Sequence, residues 1–573
     1  MSIVAGMFLL ILAMLIVVVA FRAEFYALIL HLRPPQYLVS VERRIAVPMP
    51  DGITLMTDHY APRADGSFPT ILIRSPYGRE PNDGGFGHIL TFFAIRFAER
   101  GYHVVAQDTR GRFRSGGDFF PSVAEREDGL ATLAWLVRQS WYNGSLGLWG
   151  PSYLGITQWT LATATPMIKA MLPSITSAKL FTILFPDDSF DLGLSIRWPA
   201  IFQALDKGRD AALWRALPPL LNLEKNIAPA FAHLPIVTAD EHVLDRPLPY
   251  YRAWLDRLHP ASPIWQETAQ SMQIASTTAA IHLMGGWYDF FLRGLLLDYA
   301  ELKAAGKPPY LTIGPWFHFS DSMIMTDSLK EGLDWFDTYL REDHTHLRDK
   351  PVRLYVMGVN QWRDFDTWPP PAAATRYYLH TATLMTDVPA VTVPPDHYQY
   401  DPADPTPAIG GTQFSLWAGR RDNTSVEARP DVLCYTSARL TAPLEVIGHV
   451  KLELYVSSTL PFTDFFGRLC DVHPNGRSYN VCDGLFRVTP DKGTRQPDGS
   501  LRIEIDMWAT AHCFRAGHQI RLQVSSGAHP RWIRNLGTGS PFATDTDMKV
   551  AHQTIYHDQA HPSVLILPVI VPQ

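Results

Sequence analysis

Cysteine is scarce in this chain, with four residues in 573 and no Cys-x-x-Cys pair. That excludes a disulfide-built scaffold and a zinc ribbon. Excess charge of either sign is missing too. The chain has 50 Lys and Arg against 56 Asp and Glu, a net charge of −6, so it lacks the basic face of a nucleic-acid binder. Charged residues make up only 18%, against 46% hydrophobic, which excludes disorder and supplies large cores. There is no internal repeat and no low-complexity tract. The one glycine-rich stretch, Gly84-Gly85-Phe86-Gly87, lacks the lysine and strand context of a phosphate loop. Nothing in the chain calls for a metal or a cofactor.

Charge is also absent from the start of the chain. Met1 to Phe21 carries none, and Ser2 is its only polar side chain. About 20 apolar residues are enough to span a bilayer, and a soluble helix would show a polar stripe. No basic residue precedes the run, as one would in a signal peptide. The expectation is an uncleaved single-pass anchor within residues 1–35, followed by an interfacial piece that stops at Pro34-Pro35. The alternative is export after cleavage near Ala20. Arg22, Arg33, Arg43 and Arg44 all follow the span, which favours placing the large domain that follows in the cytoplasm.

Beyond it, 46 prolines break the chain into short elements. Thr70–Arg74, His103–Gln107 and Leu146–Trp149 read as buried strands. Ile89–Arg100 and Arg126–Gln139 have helical spacing. This alternation predicts a parallel sheet covered by helices over residues 41–175. Residues 176–275, with apolar and aromatic clusters cut by prolines, predict a helical cap. The sheet resumes over 276–368 through Ala280–Met284 and Tyr310–Ile313. After Trp368-Pro369-Pro370-Pro371, period-2 runs such as His449–Val456 predict an all-β sandwich of jelly-roll type over 372–573. All four cysteines fall there, and their pairing stays open.

The strongest local signal is Gly150-Pro151-Ser152-Tyr153-Leu154-Gly155, where a strand ends and a helix begins. A serine on such a turn exposes Oγ beside the N–H groups of a helix start. The same serine reads equally well as a helix N-cap, and glycine falls three residues after Ser152 rather than the usual two. A nucleophilic serine needs a base and an orienting carboxylate, in the order Ser, Asp, His for an α/β-hydrolase. Asp289 follows the strand Ala280–Met284, and His318 follows the next, Tyr310–Ile313. The long interval between Ser152 and Asp289 is what an inserted cap produces. Finding both in order favours the triad over a helix-capping Asp289 and a loop His318.

These segments resemble the acyl-hydrolase family that includes cocaine esterase, α-amino-acid ester hydrolases and X-Pro dipeptidyl-peptidases. The resemblance rests on G-x-S-Y-x-G at Gly150–Gly155, G-x-x-D at Gly286–Asp289 and G-P-W-x-H at Gly314–His318. Asp108–Gly117, Arg74–Tyr77, Asp471–Arg477, Ala516–His518 and Arg534-Asn535 add to it. Phe319-Ser320 departs from it, since many members carry glycine after the histidine. The resemblance implies an oxyanion hole made by the Tyr77 hydroxyl and the Tyr153 backbone N–H, a kind of contact that stabilises the transition state.

The expected function is hydrolysis of a small-molecule ester, amide or short peptide through an acyl-serine. Here Ser152 is nucleophile, His318 base and Asp289 its orienter. X-Pro dipeptidyl-peptidase activity is an alternative, and a membrane-tethered, catalytically inert binding protein is a second. Trp287, Phe290, Asp187 and Asp188 are candidate substrate contacts. Asp187, Asp188 and Asp191 are the carboxylates that a substrate ammonium would use, although a solvated acidic turn is the preferred explanation. Asp108, Arg110 and Arg112 are expected to organise a loop near the nucleophile. Activity is expected to rise through neutral pH as a base histidine loses its proton.

Overall fold

A computed structural model of the protein describes residues 22–207, 222–244, 246–255, 272–389 and 391–571. The anchor or signal read over Met1–Phe21, with its cleavage point near Ala20, lies outside the described residues, as do the cap segments 208–221 and 256–271. Among the described residues, no helix is long and apolar enough to cross a membrane. Arg22–Ile29 forms a short helix. Its Tyr26 packs edge-on against Phe92, and Ala27 and Leu32 join the core. The segment is thereby docked on the helix Gly85–Ala98.

The amino-terminal domain is built on a 10-stranded sheet in the order β1-β2-β4-β3-β5-β6-β7-β8-β9-β10. The strands are β1 Val39–Pro48, β2 Thr54–Pro62, β3 Thr70–Ser75, β4 His103–Asp108, β5 Leu146–Pro151, β6 Ile168–Ser174, β7 Ala280–Tyr288, β8 Tyr310–Phe317, β9 Val352–Val356 and β10 Gln361–Phe365. From β4 to β9 all neighbours are parallel, and β1, β2 and β10 attach antiparallel at the edges. The inner strands read as unbroken apolar runs because helices cover both faces. Ile71 and Ile73 point into the core beneath the helices Gly85–Ala98 and Asp321–Arg341, and Leu72 points into the other. Trp149 is fully buried on the first side, a burial that contributes roughly 2–3 kcal/mol.

Between β6 and β7 the described residues form short helices, with Leu192–Lys207 the most extended. They bury Phe190, Leu194, Ile196 and Trp254 against the sheet core. From residue 373 the chain is a 12-stranded, mainly antiparallel β domain with its own apolar core. The four cysteines in it are free thiols.

One buried pair ties the sheet edge to pH. His59 on β2 and His103 on β4 are hydrogen-bonded at 2.9 Å, and His59 stacks on Trp141. Burial pushes His59 down to about 3 and His103 down to about 4, against an ordinary ~6.5. Between 6.5 and those values the unfolded chain binds more protons than the folded one. The stability is therefore whole above about pH 6.5 and is lost as pH falls through that window. At pH 5 the loss from His59 is about 2 kcal/mol. The urea midpoint should fall between pH 7 and pH 5, and the fall should be smaller in His59→Phe, which keeps the stack without a titratable nitrogen. Equal midpoints at the two pH values in the unaltered protein would contradict this reading.

Candidate active site

The site forms at the carboxyl ends of β5, β7 and β8, where an open parallel sheet offers its crevice. Ser152 stands between β5 and the helix Tyr153–Trp159 with φ 55° and ψ −124°. That is strained backbone for a non-glycine residue. The turn is held by the Ser152 N–H, which donates to the Ser174 carbonyl at 2.8 Å. It closes only because its flanking residues lack side chains. A Cβ on Gly150 would lie 2.5 Å from Leu154 Cβ, and one on Gly155 would lie 2.3 Å from Thr176 Cγ2. The glycine three places after Ser152 is thus the point where the helix touches the segment just after β6.

Asp289 follows β7 and is fully buried. Its Oδ1 accepts the Phe291 N–H at 2.8 Å, and its Oδ2 lies 2.7 Å from His318 Nδ1. His318 Nε2 lies 3.0 Å from Ser152 Oγ. Since a carboxylate accepts only, the proton of a neutral His318 is assigned to Nδ1. Nε2 is then the acceptor for the serine hydroxyl. The rings of Phe290, Phe291, Phe319 and Phe414 surround the imidazole, with centroids 4.7–5.9 Å away. The departure at Phe319-Ser320 has a structural use: the Phe317 N–H donates to Ser320 Oγ at 3.0 Å, stitching the turn that carries His318, while Phe319 packs on Phe414.

Tyr77 follows β3, and its phenol oxygen accepts the Trp198 indole N–H at 3.1 Å. Tyr153 starts the helix after Ser152. Its side chain is tied down, donating to Glu125 at 2.9 Å and accepting the Ser122 N–H at 2.9 Å. Burial raises the pKa of both Tyr153 and Glu125, and Arg74 pairs with Glu125 at 3.0 Å. The backbone N–H of Tyr153 is fixed through this network. Beneath it, Asp108 pairs with Arg79, Arg110 holds Asp128, and Arg112 joins the Pro76 carbonyl to Asp206. These groups organise loops and none lines the cavities at Ser152.

Two apolar cavities of about 90 and 150 Å³ meet at Ser152, Tyr77, Trp198 and Phe414. Leu184, Trp254 and Phe290 wall the first; Phe86, Ile89 and Phe319 wall the second. Phe290 is where a substrate contact was expected. Three other expected contacts, Trp287, Asp187 and Asp188, do not line these two cavities. Trp287 is buried away from Ser152, its N–H on the Tyr355 carbonyl and its ring beside Trp368. Asp187 pairs with Arg293 and accepts the Trp532 N–H. Asp188 pairs with Lys492 of the β domain. Asp191 caps backbone through the Leu194 N–H, and burial pushes its pKa up to about 7. Asp187 and Asp191 are buried carboxylates and take partners for that reason, while Asp188 makes its pair at the surface. Phe414 and Trp198 were not legible from sequence: one arrives from the β domain and the other from a helix between β6 and β7, with no local motif at either.

Known proteins match along most of the chain. The family model described as X-Pro dipeptidyl-peptidase (S15 family) matches residues 51–320. The model of the X-Pro dipeptidyl-peptidase C-terminal non-catalytic domain matches residues 345–566, the part that supplies Phe414. Cocaine esterase of Rhodococcus sp. (strain MB1 Bresler) is 34% identical over 578 aligned positions, covering 93% of this chain and 99% of that one. In fold, the chain is similar to an α-amino-acid ester hydrolase, with TM-score 0.77, 23% identity, and 93% and 97% of the two chains covered. It is equally similar to an aminopeptidase from a marine-sediment Thaumarchaeota archaeon, with TM-score 0.77, 21% identity, and 94% and 97% covered.

Proposed function

The chain belongs to the serine-hydrolase family of cocaine esterase and the X-Pro dipeptidyl-peptidases, and from that premise we propose that it cleaves apolar esters through an acyl-Ser152 intermediate. The observation that carries this reading is the continuous Asp289–His318–Ser152 hydrogen-bond chain opening into apolar cavities. Ser152 Oγ attacks the ester carbonyl while His318 Nε2 takes its proton. The oxyanion forms between the Tyr153 N–H and the Tyr77 hydroxyl, whose oxygen Trp198 holds in place. His318 then returns the proton to the leaving alcohol, and water repeats the sequence to release the acid. The fold is read as an α/β-hydrolase core with a helical cap and a jelly-roll β domain.

Esterase is preferred to dipeptidyl-peptidase because a substrate ammonium needs a carboxylate partner. Among the described residues, neither cavity at Ser152 is lined by one. The inert-binding alternative is set aside, since an assembled triad on a strained serine is a catalytic arrangement. The test is a panel of aryl esters beside Ala-Pro and Gly-Pro anilides. Esters should be turned over in clear preference, and a preference for the anilides would overturn the reading. In the same panel Tyr77→Phe should lower kcat by about 10²–10³, the usual cost of one oxyanion donor, with KM little changed. An unchanged kcat would remove Tyr77 from the oxyanion hole.

A further inference from the structure

A cavity of about 530 Å³ that the reaction does not use lies where the two domains meet. Pro315, Phe317 and Ser320 line one side of it. Gly358, Asn360, Arg420, Arg515, Asp471, His473 and His518 line others. Within it Asp471, His473 and His518 each turn one ligand-type atom to a common point, all within 4.8 Å of one another.

We propose that Asp471, His473 and His518 form a binding site for a borderline divalent transition-metal ion of the zinc or cobalt type. Its first support is spacing. His518 Nδ1, which donates to Asp471 Oδ1 at 2.8 Å, gives up that proton and takes the Nε2-protonated tautomer when an ion binds, and His473 Nε2 lies 3.5 Å from Asp471 Oδ2. Two ligands held at ~2.0–2.1 Å in tetrahedral geometry stand about 3.3 Å apart, so small side-chain shifts bring the set together. The second support is orientation from behind. The buried His512 lies 3.1 Å from Asp471 Oδ2, the kind of outer contact that fixes a ligating carboxylate. The third is the lone pair of His473. Arg420 Nη2 sits 2.8 Å from its Nε2, and a guanidinium only donates, so that nitrogen carries an available pair.

Arg420 must yield when an ion enters. It already rests over the Tyr479 ring, 3.8 Å from the centroid, and keeps that stack when it releases His473. One carboxylate beside arginines does not suit calcium or magnesium, which need several oxygen ligands. Two imidazoles and one carboxylate suit zinc or cobalt, with the fourth position open to cavity water.

The test uses the full chain stripped with a chelator. Cobalt titration followed by visible absorption, and zinc titration by calorimetry, should each give one ion per chain. His473→Ala alters a partly exposed side chain, so its ester turnover in the absence of metal should match that of the unaltered protein and certify its fold. Its metal affinity should fall at least about tenfold, and His518→Ala should lose the cobalt band. No binding to the unaltered protein at millimolar metal would overturn the site. So would equal affinity in the unaltered protein and both variants.

Discussion

Ser152→Ala is expected to lose about 10⁵–10⁶-fold of ester turnover, the loss seen when a hydrolase nucleophile is removed. It should also lose all labelling by a fluorophosphonate probe. The size follows from the covalent step, because no other hydroxyl is hydrogen-bonded to His318 Nε2 among the described contacts. Residual turnover would come from the binding cavities and the oxyanion donors alone. The fold should survive. Ser152 Oγ makes its contact with His318 and no cap bond to its helix, while the backbone bond to Ser174 remains. The positive φ already present at residue 152 is a cost that alanine bears about as well as serine. A folded Ser152→Ala protein that still labels at the rate of the unaltered one would remove Ser152 as nucleophile.

What could be read in advance was local or ordered along the chain. The strand–turn–helix around Ser152 is a period change flanked by two glycines. Asp289 and His318 each follow a short apolar run that reads as a buried strand. Chain order then joins them, because parallel strands deliver their carboxyl ends to one edge. What could not be read depends on partners distant in sequence. Nothing near Asp187 announces Arg293 or Trp532, so the segment read as a solvated acidic turn with an ammonium site as the other reading. Trp287 sits two residues before the catalytic candidate Asp289, yet it is still in the strand, which ends at Tyr288, and its N–H goes to the Tyr355 carbonyl while Asp289 turns to His318. Phe414 is separated from His318 by a domain boundary and meets it only through tertiary packing. Ser320 departed from the resembled pattern, and only the bond from the Phe317 N–H gives it a part in holding His318.

Asp289→Asn should cost about 10⁴ in kcat while leaving the protein folded. The reason lies in which oxygen does what. Oδ1 accepts the Phe291 N–H, and Oδ2 faces His318 Nδ1. An asparagine keeps its carbonyl oxygen toward Phe291, where a donor requires it, and so turns its NH₂ toward His318. Two donors cannot share that contact, and the imidazole must move its proton to Nε2. Nε2 then cannot accept from Ser152 Oγ, and the nucleophile loses its base with the geometry nearly intact. The deficit should appear in kcat and in the rate of fluorophosphonate labelling together, with KM and the thermal midpoint little changed. Asp289→Ala would leave the Phe291 N–H without its acceptor inside the core, at about 1–3 kcal/mol, so it should lose stability as well as rate. If Asp289→Asn retained more than a tenth of the turnover, some other acceptor would have to hold the His318 tautomer. The buried pairing of Nδ1 with Oδ2 would then be structural rather than catalytic.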